Sequence, residues 1–313
     1  MNTGGREIQR FNVTEGCDRH CENCERYFDC DAQAKETFKK RGILALAKEN
    51  LKSVKHTVAI LGGKGGVGKS MLTVNLAAAL VKRGRTVCIL DQVYDCPAIP
   101  LMLGIDQNAR LMIGENGLVP ADSPSGVKVV STGLILDPDE VIIWFHDMKR
   151  NATEELLCAV EYGNIDYLLI DVPAGTSSET VNAMKYIPDM DGAIVITVAS
   201  EVSQNVARRC IYMLKKAKIP VLGVVENMSD SVCPSCGEHA AILQSGAGVR
   251  MAEREGVPFL AKLMISDKIS TALDDGEPVV SRYPDSEESQ LLMGICDSVM
   301  AAVERRSTAA VRG

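Results

Sequence analysis

The sequence predicts an α/β protein, a mostly parallel, doubly wound sheet with helices on both faces, preceded by a short cysteine-rich extension. Three observations predict it. From residue 57 onward, short apolar runs alternate with stretches of helical periodicity. Several runs, such as Tyr167-Leu168-Leu169-Ile170, are near-continuously apolar, as strands covered on both faces should be. Six of the eleven cysteines fall in two tight clusters: Cys17, Cys21, Cys24 and Cys30 early, Cys233 with Cys236 late.

Composition narrows the classes. At 313 residues and 46% hydrophobic, the chain can bury a substantial core. A net charge of −7 and 4% aromatic residues argue against nucleic acid, since neither a basic footprint nor base-stacking platforms are available. No apolar run reaches the roughly 18 residues of a membrane span, and the first residues carry no apolar signal core, so the expected location is the cytoplasm. Disulfides are rare there, which turns the clustered cysteines into candidate ligands. The other five, Cys88, Cys96, Cys158, Cys210 and Cys296, read as small buried hydrophobes.

Residues 1–30 form the cysteine-rich segment, 31–56 a helical connector and 57–313 the main domain. The spacing Cys17-x3-Cys21-x2-Cys24-x5-Cys30 offers four thiolates within fourteen residues. Thiolates suit a [4Fe–4S] cluster or zinc, and spacing alone does not choose between these and free thiols. The first three match the spacing of radical-SAM enzymes, but the barrel that should follow is missing. In the connector, seven Lys/Arg against two Glu between Lys35 and Lys55 make a basic face, either solvated or a dock for an acidic partner.

The main domain is organised around Gly62-Gly63-Lys64-Gly65-Gly66-Val67-Gly68-Lys69-Ser70, which follows an apolar run and precedes a helical pattern. Strand, glycine-rich loop and helix is the context of a phosphate-binding P-loop. Glycines let successive N–H groups converge on one point, and the helix start adds unpaired donors and a positive dipole end. The nucleotide set is Gly63, Lys64, Gly65, Gly66, Val67, Gly68, Lys69, Ser70 and Met71. Lys69 is expected on the β/γ-phosphates, and Ser70 offers its hydroxyl to Mg²⁺.

Strands are expected at 58–61, 86–90, 127–130, 167–170, 193–197, 221–225 and 259–263. Lys82-Arg83-Gly84 should close the helix after the P-loop, and Thr153-Glu154-Glu155 should open another with acids in its first turn. Asp91 and Asp171 end their strands and can reach Mg²⁺ or its waters. Gly175, soon after Asp171, allows backbone to approach a γ-phosphate, the basis of a nucleotide-sensing loop. Asn227, after the sixth strand, can read an adenine edge. Cys233-x-x-Cys236 supplies half of a tetrahedral thiolate site, which a symmetric dimer would complete; a redox dithiol is the rival reading. A C-terminal amphipathic helix over 285–306 covers the core.

The loop form with an early lysine, Lys64, resembles the deviant Walker A of the dimeric NTPases that include MinD and the nitrogenase iron protein. That resemblance implies that Lys64 crosses a dimer interface to the partner's nucleotide. Beyond the loop, Leu168-Leu169-Ile170-Asp171-Val172-Pro173-Ala174-Gly175-Thr176, Gly223-Val224-Val225-Glu226-Asn227-Met228-Ser229, Cys233-Pro234-Ser235-Cys236-Gly237 and Gly256-Val257-Pro258-Phe259-Leu260 resemble the Mrp/ApbC family of P-loop iron–sulfur scaffold ATPases. The four-cysteine start is similar to the longer, eukaryotic cytosolic type, whose first cysteine lies farther upstream than Cys17.

The resemblance implies a homodimer that binds ATP and Mg²⁺ and passes [4Fe–4S] clusters to apo-proteins. Cys233 and Cys236 of both subunits would hold a labile bridging cluster. Cys17, Cys21, Cys24 and Cys30 would hold a second within each subunit. One departure matters. Where the family reads Asp-x-Asp after the second strand, this chain has Asp91-Gln92-Val93, and valine cannot orient an attacking water. Asp95 has the spacing of the equivalent acid in the nitrogenase iron protein. Slow hydrolysis is therefore expected, with Lys64, Lys69 and Asp95 as its catalytic residues. Val198-Ala199-Ser200 also replaces the family's Thr-Pro-Gln. Rival readings are an ATP-driven electron donor, for which Ser178 stands where a cysteine ligand belongs, a spatial-positioning ATPase, and a nucleotide-switched adaptor with little hydrolysis.

Overall fold

The computed structural model describes residues 21, 24, 27–30, 42–137, 143–187, 189–232, 239–240 and 246–312. Eight strands build the main sheet: β1 (Val54–Gly62), β2 (Val87–Asp91), β3 (Ala121–Asp122), β4 (Lys128–Val130), β5 (Ile165–Asp171), β6 (Gly192–Val198), β7 (Val221–Asn227) and β8 (Phe259–Lys262). Their order is β8-β7-β6-β1-β5-β2-β4-β3, parallel throughout except for the short antiparallel pair β3–β4. All seven expected strands are present. The structure adds β3 and two ribbons of two-residue strands, 112–113 with 118–119 and 231–232 with 239–240.

The helices are α1 (Gly42–Asn50), α2 (Lys69–Lys82), α3 (Ile99–Met102), α4 (His146–Ala159), α5 (Ser178–Tyr186), α6 (Glu201–Lys216), α7 (Ala247–Glu255), α8 (Asp267–Asp274), α9 (Val279–Arg282) and α10 (Glu287–Arg312). Helix α2 is buried on nearly every side, because the sheet covers one face while α9 and α10 cover the other. Asn75, a deeply buried polar side chain on this helix, is satisfied: it donates to the Met71 carbonyl at 2.9 Å and accepts from Val280 N–H at 3.5 Å. The helix ends as the sequence indicates, with Gly84 at φ 76° just beyond it.

One helix start differs from the expectation. Helix α4 begins at His146, so Thr153-Glu154-Glu155 lie two turns inside it rather than at its N-terminus. Thr153 fits there because its hydroxyl bonds back to the Lys149 carbonyl at 2.9 Å. Among the five cysteines read as buried, Cys88, Cys210 and Cys296 are buried and Cys158 is half-buried. Cys96 is exposed, because its loop after β2 runs over the surface. No helix among the described residues is long and apolar enough to cross a membrane.

Candidate functional site

Strands β1, β5 and β2 end side by side. Parallel pairing sets Ile60 against Asp171, and Asp171 against Asp91. The P-loop leaves β1 at this edge, where the connection to β2 passes over β5, so the loop and both acids share one crevice.

The loop is shaped by its glycines. Gly66 and Gly68 have φ of 73° and 95°, conformations open to glycine. A Cβ on Gly63 would lie 2.6 Å from the Ala207 nitrogen on α6, so that helix packs straight onto the loop. Asn227, at the end of β7, donates its amide to the Val67 carbonyl at 2.9 Å. This is a support contact within the loop. Met71 sits buried in the first turn of α2.

Lys69 is turned inward. It is 8% exposed, and its ammonium lies 3.5 Å from the Lys64 carbonyl. Burial holds its pKa below the ordinary lysine value, against the opposing charge of Asp171. Ser70 donates to Asp171 Oδ2 at 2.5 Å, and Thr73, one turn on, donates to Oδ1 at 3.2 Å. Asp91 accepts from Ser131 at 2.9 Å and from Val93 N–H at 3.0 Å. Burial pushes both carboxyls above their ordinary range, and Asp171 pushes Asp91 further by like-charge repulsion. Two buried acids, a hydroxyl and a lysine at a helix start are the donor set for a divalent cation carrying a polyphosphate. The loop after β5 touches the same place: Gly175 N–H donates to the Gly62 carbonyl at 2.8 Å.

Asp95 stands apart from this cluster. Its half-exposed carboxylate is held by Lys149 at 2.7 Å, and Lys149 also donates to Glu179 at 2.6 Å. Beside it a cavity of about 440 Å³ is lined by Tyr94, Cys96, Pro97, Leu101, Leu134 and Trp144. Lys64 is half-buried.

The cysteine clusters are only partly visible. Cys17, Cys233 and Cys236 lie outside the described residues. Cys21 is buried, Cys24 and Cys30 are half-buried, and Cys24 N–H bonds the Cys21 carbonyl at 3.4 Å. This segment rests on α5 and α6. Lys185 donates to the Cys21 carbonyl at 3.5 Å and lies 4.8 Å above the Tyr27 ring, while Lys216 pairs with Asp29 at 2.5 Å. Soft thiolates fit an iron–sulfur cluster by donor chemistry. Among the described residues, no three Cys, His, Asp or Glu side chains converge as a metal site.

Sequence reasoning missed Thr73, Ser131 and Lys149. Thr73 follows Ser70 by three residues on a helix, a spacing that signals a shared face. Ser131 and Lys149 reach the site from 40 and 54 residues beyond their partners, and no local pattern marks them.

The model of NUBPL-type iron-transfer P-loop NTPases, within the ParA group, matches residues 53–300. An iron–sulfur cluster carrier protein of Methanocaldococcus jannaschii is 40% identical over 265 residues, covering 84% of this chain and 90% of that protein. The bovine cytosolic Fe-S cluster assembly factor NUBP2 is 36% identical over 258 residues, covering 80% of this chain and 94% of that one. Among solved structures, a nucleotide-binding protein from Archaeoglobus fulgidus in complex with ADP superposes with a TM-score of 0.66 at 29% identity, over 79% of this chain and 98% of that chain. MinD of Pyrococcus horikoshii, complexed with Mg-ADP, shares the fold with a TM-score of 0.59 at 23% identity, over 79% of this chain and 96% of its own. The P-loop, the paired strand-end acids and these relatives agree, and the chain belongs to the iron–sulfur cluster carrier family of P-loop NTPases, of the NUBPL/Mrp type.

Proposed function

We propose that this chain is an ATP-gated carrier that receives [4Fe–4S] clusters as cargo and hands them to apo-proteins, working as a cytoplasmic homodimer. The observation that carries the nucleotide half is the Ser70–Asp171 hydrogen bond of 2.5 Å, with Asp91 in register beside it. In this reading Ser70 and the two acids hold Mg²⁺, directly or through its waters. Gly63 to Met71 cradle the phosphates, with Lys69 on the β/γ-phosphates and Lys64 reaching across to a partner's nucleotide. Hydrolysis to ADP and phosphate is slow, because Val93 offers no acceptor and Asp95 is the substitute. Asn227 supports Val67 in the loop and, in this reading, also reads the adenine edge.

The cargo cluster bridges Cys233 and Cys236 of two subunits. Cys17, Cys21, Cys24 and Cys30 hold a resident cluster, which supplies either electron-transfer capacity or a structural staple. The basic connector, residues 31–56, stays a solvated face in this reading. A nucleotide-switched adaptor with little turnover is favoured only by Val93.

Anaerobic reconstitution with iron and sulfide tests the cargo assignment. About twelve iron per dimer are expected in the wild type and about eight in Cys233→Ala/Cys236→Ala with the dimer intact. Stoichiometric zinc with no iron uptake would replace the carrier reading with a zinc-stapled nucleotide switch.

A further inference from the structure

Lys149 belongs to no nucleotide motif, yet its ammonium joins two segments that flank the site. It donates to Asp95 Oδ2 at 2.7 Å and to Glu179 Oε1 at 2.6 Å. Asp95 lies in the loop after β2, and Glu179 in the first turn of α5, directly after the sensing loop that follows Asp171. One turn along α4, Thr153 shares a hydrogen bond with the Tyr94 hydroxyl at 2.9 Å. Two side chains spaced i and i+4 on one face of α4 thus hold consecutive residues of the loop after β2.

The bridge is anchored at one end. The Glu179 side chain is 6% exposed, Lys149 15% and Asp95 55%. Ser178 also donates to Glu179 at 2.9 Å. Burial works against the Lys149 charge, but its bonds to the two carboxylates outweigh that and raise its pKa. An exposed ion pair contributes little. A mostly buried lysine bonded to acids from two separate segments is a different case, because the buried Glu179 holds its ammonium in place for Asp95. Lys149 is the sole hydrogen-bond partner of the Asp95 carboxylate among the described residues.

We propose that Lys149 is a positioning residue for ATP hydrolysis. It fixes the Asp95 carboxylate relative to α5, so that the loops after β2 and β5 respond to the nucleotide as one unit. This rests on the reading of Asp95 as the stand-in for the acid missing at Val93. Hydrolysis needs an acceptor placed within a fraction of an ångström of its working position, and a displacement of about 1 Å costs about a hundredfold.

The test compares full-length wild type with Asp95→Asn, Lys149→Arg and the paired variant Lys149→Gln/Glu179→Gln. The pair removes both inner charges together, so no buried ion is left alone. Trp144, the chain's one tryptophan, lies 5.7 Å from the Tyr94 ring and reports on this loop by its fluorescence. Asp95→Asn and the paired variant are each expected to lower kcat by about tenfold to a hundredfold with KM for ATP nearly unchanged. Adding Asp95→Asn to the pair should lower kcat no further, since both act through one group. Lys149→Arg should retain most of kcat. The Trp144 emission difference between ATP and ADP states should persist in Lys149→Arg and vanish in the paired variant. A paired variant with wild-type kcat, while Asp95→Asn is impaired, overturns the role of Lys149 and leaves that of Asp95 standing. Wild-type kcat in Asp95→Asn overturns the Asp95 reading, and the positioning role with it. A fall in kcat with the Trp144 difference intact and KM raised in proportion would make Lys149 merely structural.

Discussion

Asp91 and Asp171 are neighbours in register on adjacent strands, 1% and 0% exposed. Two carboxylates this close and this dry resist ionising together. Both pKa values are raised, so the folded chain without Mg²⁺ keeps protons that the unfolded chain has released. Stability must then fall as pH rises above the ordinary carboxylate range, near about 4. In EDTA, the Tm of wild type is expected to drop between pH 5 and pH 7.5, and that of Asp91→Asn to drop less. Saturating Mg-ADP should close the gap, because the cation favours the ionised acids. Parallel Tm profiles for the two proteins would exclude the pair as the source. Both acids were legible in the sequence because strand-end position and P-loop context suffice to place them. What holds them was not. Ser131 comes from the next strand over, and such lateral neighbours depend on strand order, which no local pattern encodes.

Elements were legible in proportion to their length. Buried parallel strands announce themselves as apolar runs, and α10 as a 3.6-residue stripe of Leu291, Leu292, Ile295, Val299 and Val303, all at most 1% exposed except the half-buried Leu291. The two-residue strands could not be read, since two residues show no period. The start of α4 was missed because a threonine that caps in one setting bonds back to its own helix in another. Helix α10 is tied to α2 by packing and by a bidentate Arg83–Asp297 pair at 2.8 Å. Packing should dominate. Ile295→Ala is expected to cost about 2–5 kcal/mol, read from the urea midpoint at unchanged m. Arg83→Ala, at a half-exposed pair, should shift the midpoint far less. Equal shifts would mean that the ion pair, and not the apolar stripe, seats the helix.

At the scale of the whole molecule, the two lysines of the P-loop differ in their settings. Lys69 is folded inward, bound to its own loop and close to Asp171. Lys64 is only half-buried, and its ammonium has no hydrogen bond or ion pair among the described residues. A cation held at a phosphate site with no partner among the described residues can be satisfied by the nucleotide of a second copy. Dimerisation would then depend on the γ-phosphate, and the paired Cys233–Cys236 motifs would meet only in that state. Lys64→Ala is therefore expected to bind ADP within about threefold of wild type, because one lysine and the loop amides remain on the phosphates. In sedimentation velocity with ATP and Mg²⁺, wild type should run as a dimer and Lys64→Ala as a monomer. Reconstituted Lys64→Ala should lose the cargo iron and keep that of the N-terminal segment. A Lys64→Ala protein that still dimerises with ATP would separate nucleotide binding from assembly, and cluster loading would then need another control. If the variant loses ADP as well, Lys64 belongs to its own subunit's phosphate site, and the link between subunits must lie elsewhere on the crevice.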